Sequence, residues 1–99
     1  MGVQQILIEQ TINYIDSLVH SAKLVIDGME VSKNIYKTVK NGAELKKYVY
    51  LENETGTITK AALIDANGRE LVTREAQFEK GPDGFMIVFP FTLKVEEGI

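Results

Sequence analysis

His20 is the only histidine of the chain and there is no cysteine, so the side chains that usually do chemistry are few. Without cysteine there is no thiol nucleophile and no thiolate metal cage, and one histidine cannot build a histidine cage. A nucleophilic triad needs a hydroxyl, a base and an orienting acid within hydrogen-bond reach. Ser17 and Ser21 flank His20, but the spacing places no carboxylate to orient its ring. The local pattern puts His20 on the polar side of a helix near its C-terminal end, where a cation gains modestly from the helix dipole. Glu52 and Glu54 fall in a polar loop, and Glu96 and Glu97 are adjacent in an extended stretch, where neighbours face opposite ways and cannot converge as an acid–base pair. The six glycines from Gly28 to Gly84 sit beside Asp, Asn, Thr or Lys in turns, and none of the glycines builds a glycine-rich phosphate cradle. The sequence therefore nominates no catalytic, cofactor-binding or metal-ligating residue, and the expectation is a protein without enzymatic activity or cofactor.

One stretch is biased towards base: Lys33, Lys37, Lys40, Lys46 and Lys47, interleaved with Tyr36, Tyr48 and Tyr50. Lysines and tyrosines on a sheet can hold single-stranded nucleic acid by phosphate contact and base stacking, so Lys46, Lys47, Tyr48 and Tyr50 form a candidate face for nucleic acid or an anionic ligand. The net charge of −3 and pI near 5.1 oppose a polyanion, and lysines also guard edge strands. Nucleic acid is the disfavoured partner on this balance.

These residues must be positioned by a small scaffold. Ninety-nine residues fit one domain, and 44% apolar with 25% charged residues is the composition of a globular chain. No apolar run approaches the roughly 20 residues that span a bilayer, and the start lacks a signal-peptide pattern. Ile6 stands where a myristoylation motif wants Ser or Thr, and Asn53-Glu54-Thr55 is a sequon in form but a turn in composition.

Helical periodicity runs from about residue 3 to 21. Ile8, Ile12, Ile15, Val19 and Ala22 recur at steps of four and three, and Leu7, Tyr14 and Leu18 form a second row beside them, with Val3 near its start. The two rows cover an arc wider than the stripe of about 100° needed for one contact. Either the helix touches both its own sheet and a neighbouring subunit, through Ile8, Ile12, Ile15 and Val19, or it lies deep against one sheet. About six strands follow between residues 22 and 96. Asp27-Gly28 and Asn67-Gly68 read as hairpin turns, Asn41-Gly42 closes another segment, and Glu79–Gly84 reads as a polar turn. Leu45, Val49 and Leu51 should face inward, with Lys46, Tyr48 and Tyr50 outward. Small Ala61 and Ala62 leave room for something bulky. In the last strand Phe85, Ile87, Phe89, Phe91, Leu93 and Val95 share a buried face, and Pro90 requires a free edge, a bulge or solvent. The fold class expected is α+β: an N-terminal amphipathic helix packed on a mainly antiparallel β-sandwich or curled sheet, in a single domain.

The run Thr-Gly-Thr-Ile-Thr-Lys-Ala-Ala-Leu-Ile-Asp-Ala-Asn-Gly-Arg-Glu-Leu-Val-Thr-Arg within residues 55–74, followed by Phe78-Glu79-Lys80 and the aromatic final strand, resembles a hairpin common in tail-fibre and tail-accessory proteins of tailed phages and prophages. Ala61-Ala62 replaces the Ile-Gly usual in that pattern. The resemblance implies a small structural component of a tail, baseplate or neck. It would assemble with itself as a ring or trimer and with other tail proteins, in the bacterial cytoplasm and then in the particle.

Overall fold

The computed structural model describes residues 4–94. One helix, α1 (Gln5–Leu18), is followed by seven strands: β1 (Ser21–Ile26), β2 (Met29–Lys33), β3 (Lys37–Asn41), β4 (Glu44–Leu51), β5 (Gly56–Ile64), β6 (Glu70–Lys80) and β7 (Phe85–Thr92). They form two antiparallel sheets, ordered β2-β1-β5-β6 and β3-β4-β7, in a compact α+β fold.

The turns follow from local chemistry. Asp27 and Gly28 have φ of 51° and 79°, the paired positive angles of a type I′ turn, and Gly42 at 61° occupies the first central position between Asn41 and Glu44. In the β5–β6 turn Asp65 does more than the Asn-Gly pair beside it. Its carboxylate accepts hydrogen bonds from the Asn67 and Arg69 amides, each at 2.9 Å, and from Arg69 Nε at 2.7 Å. Those donors hold the Asp65 carboxyl below its ordinary value, the Arg69 amide foremost.

Seven strands form rather than about six because the chain after the first hairpin divides at Asn34–Tyr36. β2 stays with the first sheet and β3 starts the second. The helix is shorter than the periodicity suggested. Val19 is already extended at its C-cap, and Ser21 pairs with Ile64 on β5, so Val19, His20 and Ala22 leave the helix. Strand β6 is longer than expected: Glu79 and Lys80, read as turn residues, pair with Thr57 and Gly56 because β5 starts that early. Val3, Val95, Glu96 and Glu97 lie outside the described residues.

Between the sheets, Ala22, Leu24 and Ile26 on β1 and Ile58, Ala61 and Leu63 on β5 meet Val49 and Leu51 on β4 and Ile87 and Phe89 on β7. The phenylalanine face of β7 does form the core, with Phe89 2% exposed and Phe85 and Phe91 packed against the cluster. The helix lies against β4, which runs through the middle of the second sheet. Pro90 fits β7 because β7 is an edge strand.

Candidate binding surfaces

The residues nominated from sequence separate into two faces of one sheet. Cross-strand partners share a face, so the registers of β3, β4 and β7 assign each side chain. Leu45 lies opposite Phe91, Lys47 opposite Phe89 and Thr38, Val49 opposite Ile87, and Leu51 opposite Phe85, all on the buried side. Lys47 therefore does not belong with Lys46, Tyr48 and Tyr50. The alternation that sends Leu45 and Val49 inward sends Lys47 inward too, and it is 4% exposed.

A buried lysine needs partners. Lys47 Nζ donates to an Asp16 carboxylate oxygen and, at 2.9 Å, to Thr38 Oγ1, while Lys40 Nζ reaches the other Asp16 oxygen at 2.8 Å and Asn13 Oδ1 at 3.0 Å. Burial, the largest single influence on Asp16, would raise its pKa. The hydrogen bonds and charges of Lys40 and Lys47 together outweigh it and hold the carboxyl below its ordinary value. This cluster ties α1 to β3 and β4.

The helix row Ile8, Ile12, Ile15 and Val19 is used within the chain. Ile12 is 2% exposed, Val19 packs on the core, and Ile8 and Ile15 are half-buried. The row left outward is the second one: Leu7 and Tyr14 are 57% and 64% exposed and Leu18 is exposed as well, while Ile6, also exposed, stands about a quarter turn away from Leu7. The sequence signal for this surface, an apolar arc too wide for one contact, was present, but the side that remains free depends on which row the sheet takes.

On the outer side of the three-stranded sheet, Lys37 lies opposite Tyr48 and Tyr48 opposite Val88. Val39 faces Lys46 and Lys46 faces Pro90, while Tyr50 faces Met86. Lys37 Nζ lies 5.3 Å from the centre of the Tyr48 ring, and Tyr36 and Tyr50 rings are 5.5 Å apart. Glu44, opposite Thr92, is the one carboxylate among these registers and stands at the far end. The candidate face thus keeps Lys46, Tyr48 and Tyr50, gains Lys37 and Tyr36, and loses Lys47.

His20 lies outside the helix, exposed, with Nδ1 3.2 Å from Ser21 Oγ. Both line a cleft of about 480 Å³ that Asp65 also borders. A hydroxyl, an imidazole and a carboxylate thus share one opening, a proximity invisible to sequence spacing. Both Asp65 oxygens are held by the β5–β6 turn, so the carboxylate is not available to orient His20 as a triad requires. Among the described residues no three His, Cys, Asp or Glu side chains are grouped to hold a metal ion. No described helix is long and apolar enough to cross a membrane.

No family model matches the chain, and no curated protein or solved structure matches it either.

Proposed function

We propose that the chain is a non-enzymatic assembly subunit of a phage or prophage tail-like particle that associates with copies of itself through the outer row of α1. The observation that carries this reading is that row: Leu7 and Tyr14 stand more than half exposed, with Leu18 exposed as well, on a helix whose neighbouring row is already seated. Apolar side chains grouped on one exposed helix face mark an interaction site, whereas scattered ones need no explanation. A second copy presenting the same row would bury it in a self-complementary, two-fold contact. Rings or trimers of the kind the tail resemblance implies would need a head-to-tail contact in addition. The tail setting rests on the resemblance of the run at residues 55–74, which covers most of the β5–β6 hairpin.

Light scattering over a dilution series tests the reading, with the wild-type chain and Leu7→Asp/Tyr14→Asp compared. The expected outcome is an assembly for the wild type and a folded monomer for the double variant. A wild-type chain that stays monomeric at every concentration defeats it.

A second reading draws on the outer sheet face. Lys37, Lys46, Tyr36, Tyr48 and Tyr50 converge with no carboxylate among them, which suits an anionic ligand. Salt-sensitive binding of single-stranded DNA, weakened by Lys37→Glu/Lys46→Glu, would favour that alternative.

A further inference from the structure

Strands β6 and β7 close opposite sheets on the same side of the sandwich, yet they do not pair with each other. Between them lies an apolar groove of about 320 Å³, floored by Ile58 and Ala61 and walled by Phe78, Phe85 and Val88. Ala61 and Ala76 contribute only methyl groups, and Phe78 and Phe85 stack with ring centres 4.4 Å apart across one end. Arg74 enters from β6. Its Nη2 donates to the Val88 carbonyl at 3.0 Å and its guanidinium carbon lies 5.0 Å from the centre of the Phe89 ring. The groove lining contains the cationic residues Arg74 and Lys60 and no carboxylate. Lys60 turns its ammonium away to Glu70, so Arg74 is the charge that a ligand in the groove would meet.

We infer that this groove is a docking site for an extended segment of a partner protein, added as a strand along the free edge of β6, with apolar side chains at alternate positions and one carboxylate beside Arg74. Two observations choose a peptide over an apolar small molecule. The walls are strand edges, and a hydrocarbon laid over them would strip water from unpaired backbone N–H and C=O groups without replacing it. A peptide backbone pairs with those groups while its alternate side chains fill the groove, as in other cases of strand addition. The edge of β7 is the less receptive wall. The Val88 carbonyl there is already taken by Arg74, and Pro90, two residues on and turned to the same side, has no N–H to offer. Strand β6 runs for 11 residues without proline and nearly all of it is exposed, so the added strand belongs to β6. The carboxylate follows from charge, since a guanidinium beside an apolar wall pairs best with a planar anion.

The test uses the full chain and a blocked synthetic peptide that alternates valine with threonine and carries one central glutamate. A second peptide has lysine in place of glutamate, and a third is N-methylated on the edge that would meet β6. The expected result is binding of the first peptide with new amide-exchange protection confined to β6. Affinity falls about tenfold, worth roughly 1.4 kcal/mol, for the lysine peptide and for Arg74→Gln, and binding is lost on N-methylation. Ala76→Phe, which fills the groove and leaves Arg74 in place, also abolishes binding. Three results each overturn the inference: no binding at about 1 mM peptide, where even weak complexes register; N-methylated peptide binding as well as the first; or dodecanoate displacing the peptide without change at the β6 amides. The N-methylated peptide leaves the protein untouched, so this arm stands even if a variant fails to fold.

Discussion

Asp16 and Lys47 illustrate how unequal the two halves of one ion pair can be. Lys47 is 4% exposed and Asp16 is 27% exposed at its side chain, so their losses differ. Asp16→Ala leaves a buried ammonium with the Thr38 hydroxyl as its remaining partner, and should cost about 2 kcal/mol. That is below the 3–5 kcal/mol of a fully buried severed pair because Asp16 is partly in water. Lys47→Met keeps much of the side-chain volume and leaves Asp16 hydrated and bonded to Lys40, so the loss should be under half as large; urea unfolding of both variants measures the difference. The same pair sets an acid limit. The Asp16 carboxyl is depressed in the fold from its ordinary value of 3.8. Its stabilisation is therefore full above that value and declines as the pH falls through the lower, folded one. Unfolding midpoints measured downward from pH 5 should fall more steeply for the wild type than for Asp16→Asn, which has no carboxylate to protonate.

At the scale of elements, α1 is weakly specified by its own sequence. It has 14 residues, near the length at which isolated helices are marginal, and it lacks a side-chain cap, an acidic first turn and a basic last turn. Gln4 sits at the N-cap with extended dihedrals and no side-chain hydrogen bond, so Gln4→Asp should supply both a cap and a favourable charge. The expected gain is about 1 kcal/mol, read as a melting temperature higher by roughly 4–8 °C. The β-turns are specified far more tightly. Gly56 has φ of 132°, and a Cβ there would come within 2.9 Å of Ile26 Cγ2 and closer still to the Asp27 carboxylate, which accepts the Thr57 amide at 2.9 Å. Gly56→Ala combines a disfavoured backbone with a clash against a working turn. It should destabilise by about 2 kcal/mol or more, measurable by the same urea titration.

For the whole molecule, the decisive question is what its open surfaces meet. The helix outer row lies apart from the other two surfaces, so variants there should leave them intact, whereas the Lys/Tyr sheet face and the β6–β7 groove meet at Met86 and Val88 of β7 and are best probed by variants on β3 and on β6 respectively. Ile12→Asp and Leu7→Asp separate folding from assembly. The first buries a charge beneath the helix and should lower the melting temperature sharply, whereas the second should leave it nearly unchanged and reduce the solution mass. If both variants lowered stability equally, the outer row would be part of the fold rather than an interface.

The antiparallel sandwich, the Asp27-Gly28 and Asn67-Gly68 hairpins and the buried phenylalanine face of β7 were legible because alternation and turn chemistry are local, set within a few residues of chain. The division of β2 from β3, the end of the helix at Leu18 and the extension of β6 through Lys80 were not, since each depends on the strand that pairs alongside. The same holds for the candidate surfaces. Two apolar rows on α1 were visible in the sequence, but only the packing against β4 decided that Ile12 would be buried and Leu7 left outside. The position of Lys47 among leucine and valine already implied an inward side chain. Its partner, Asp16, stands 31 residues away, and burial of a charge becomes tolerable only where the tertiary fold brings its counter-charge to it.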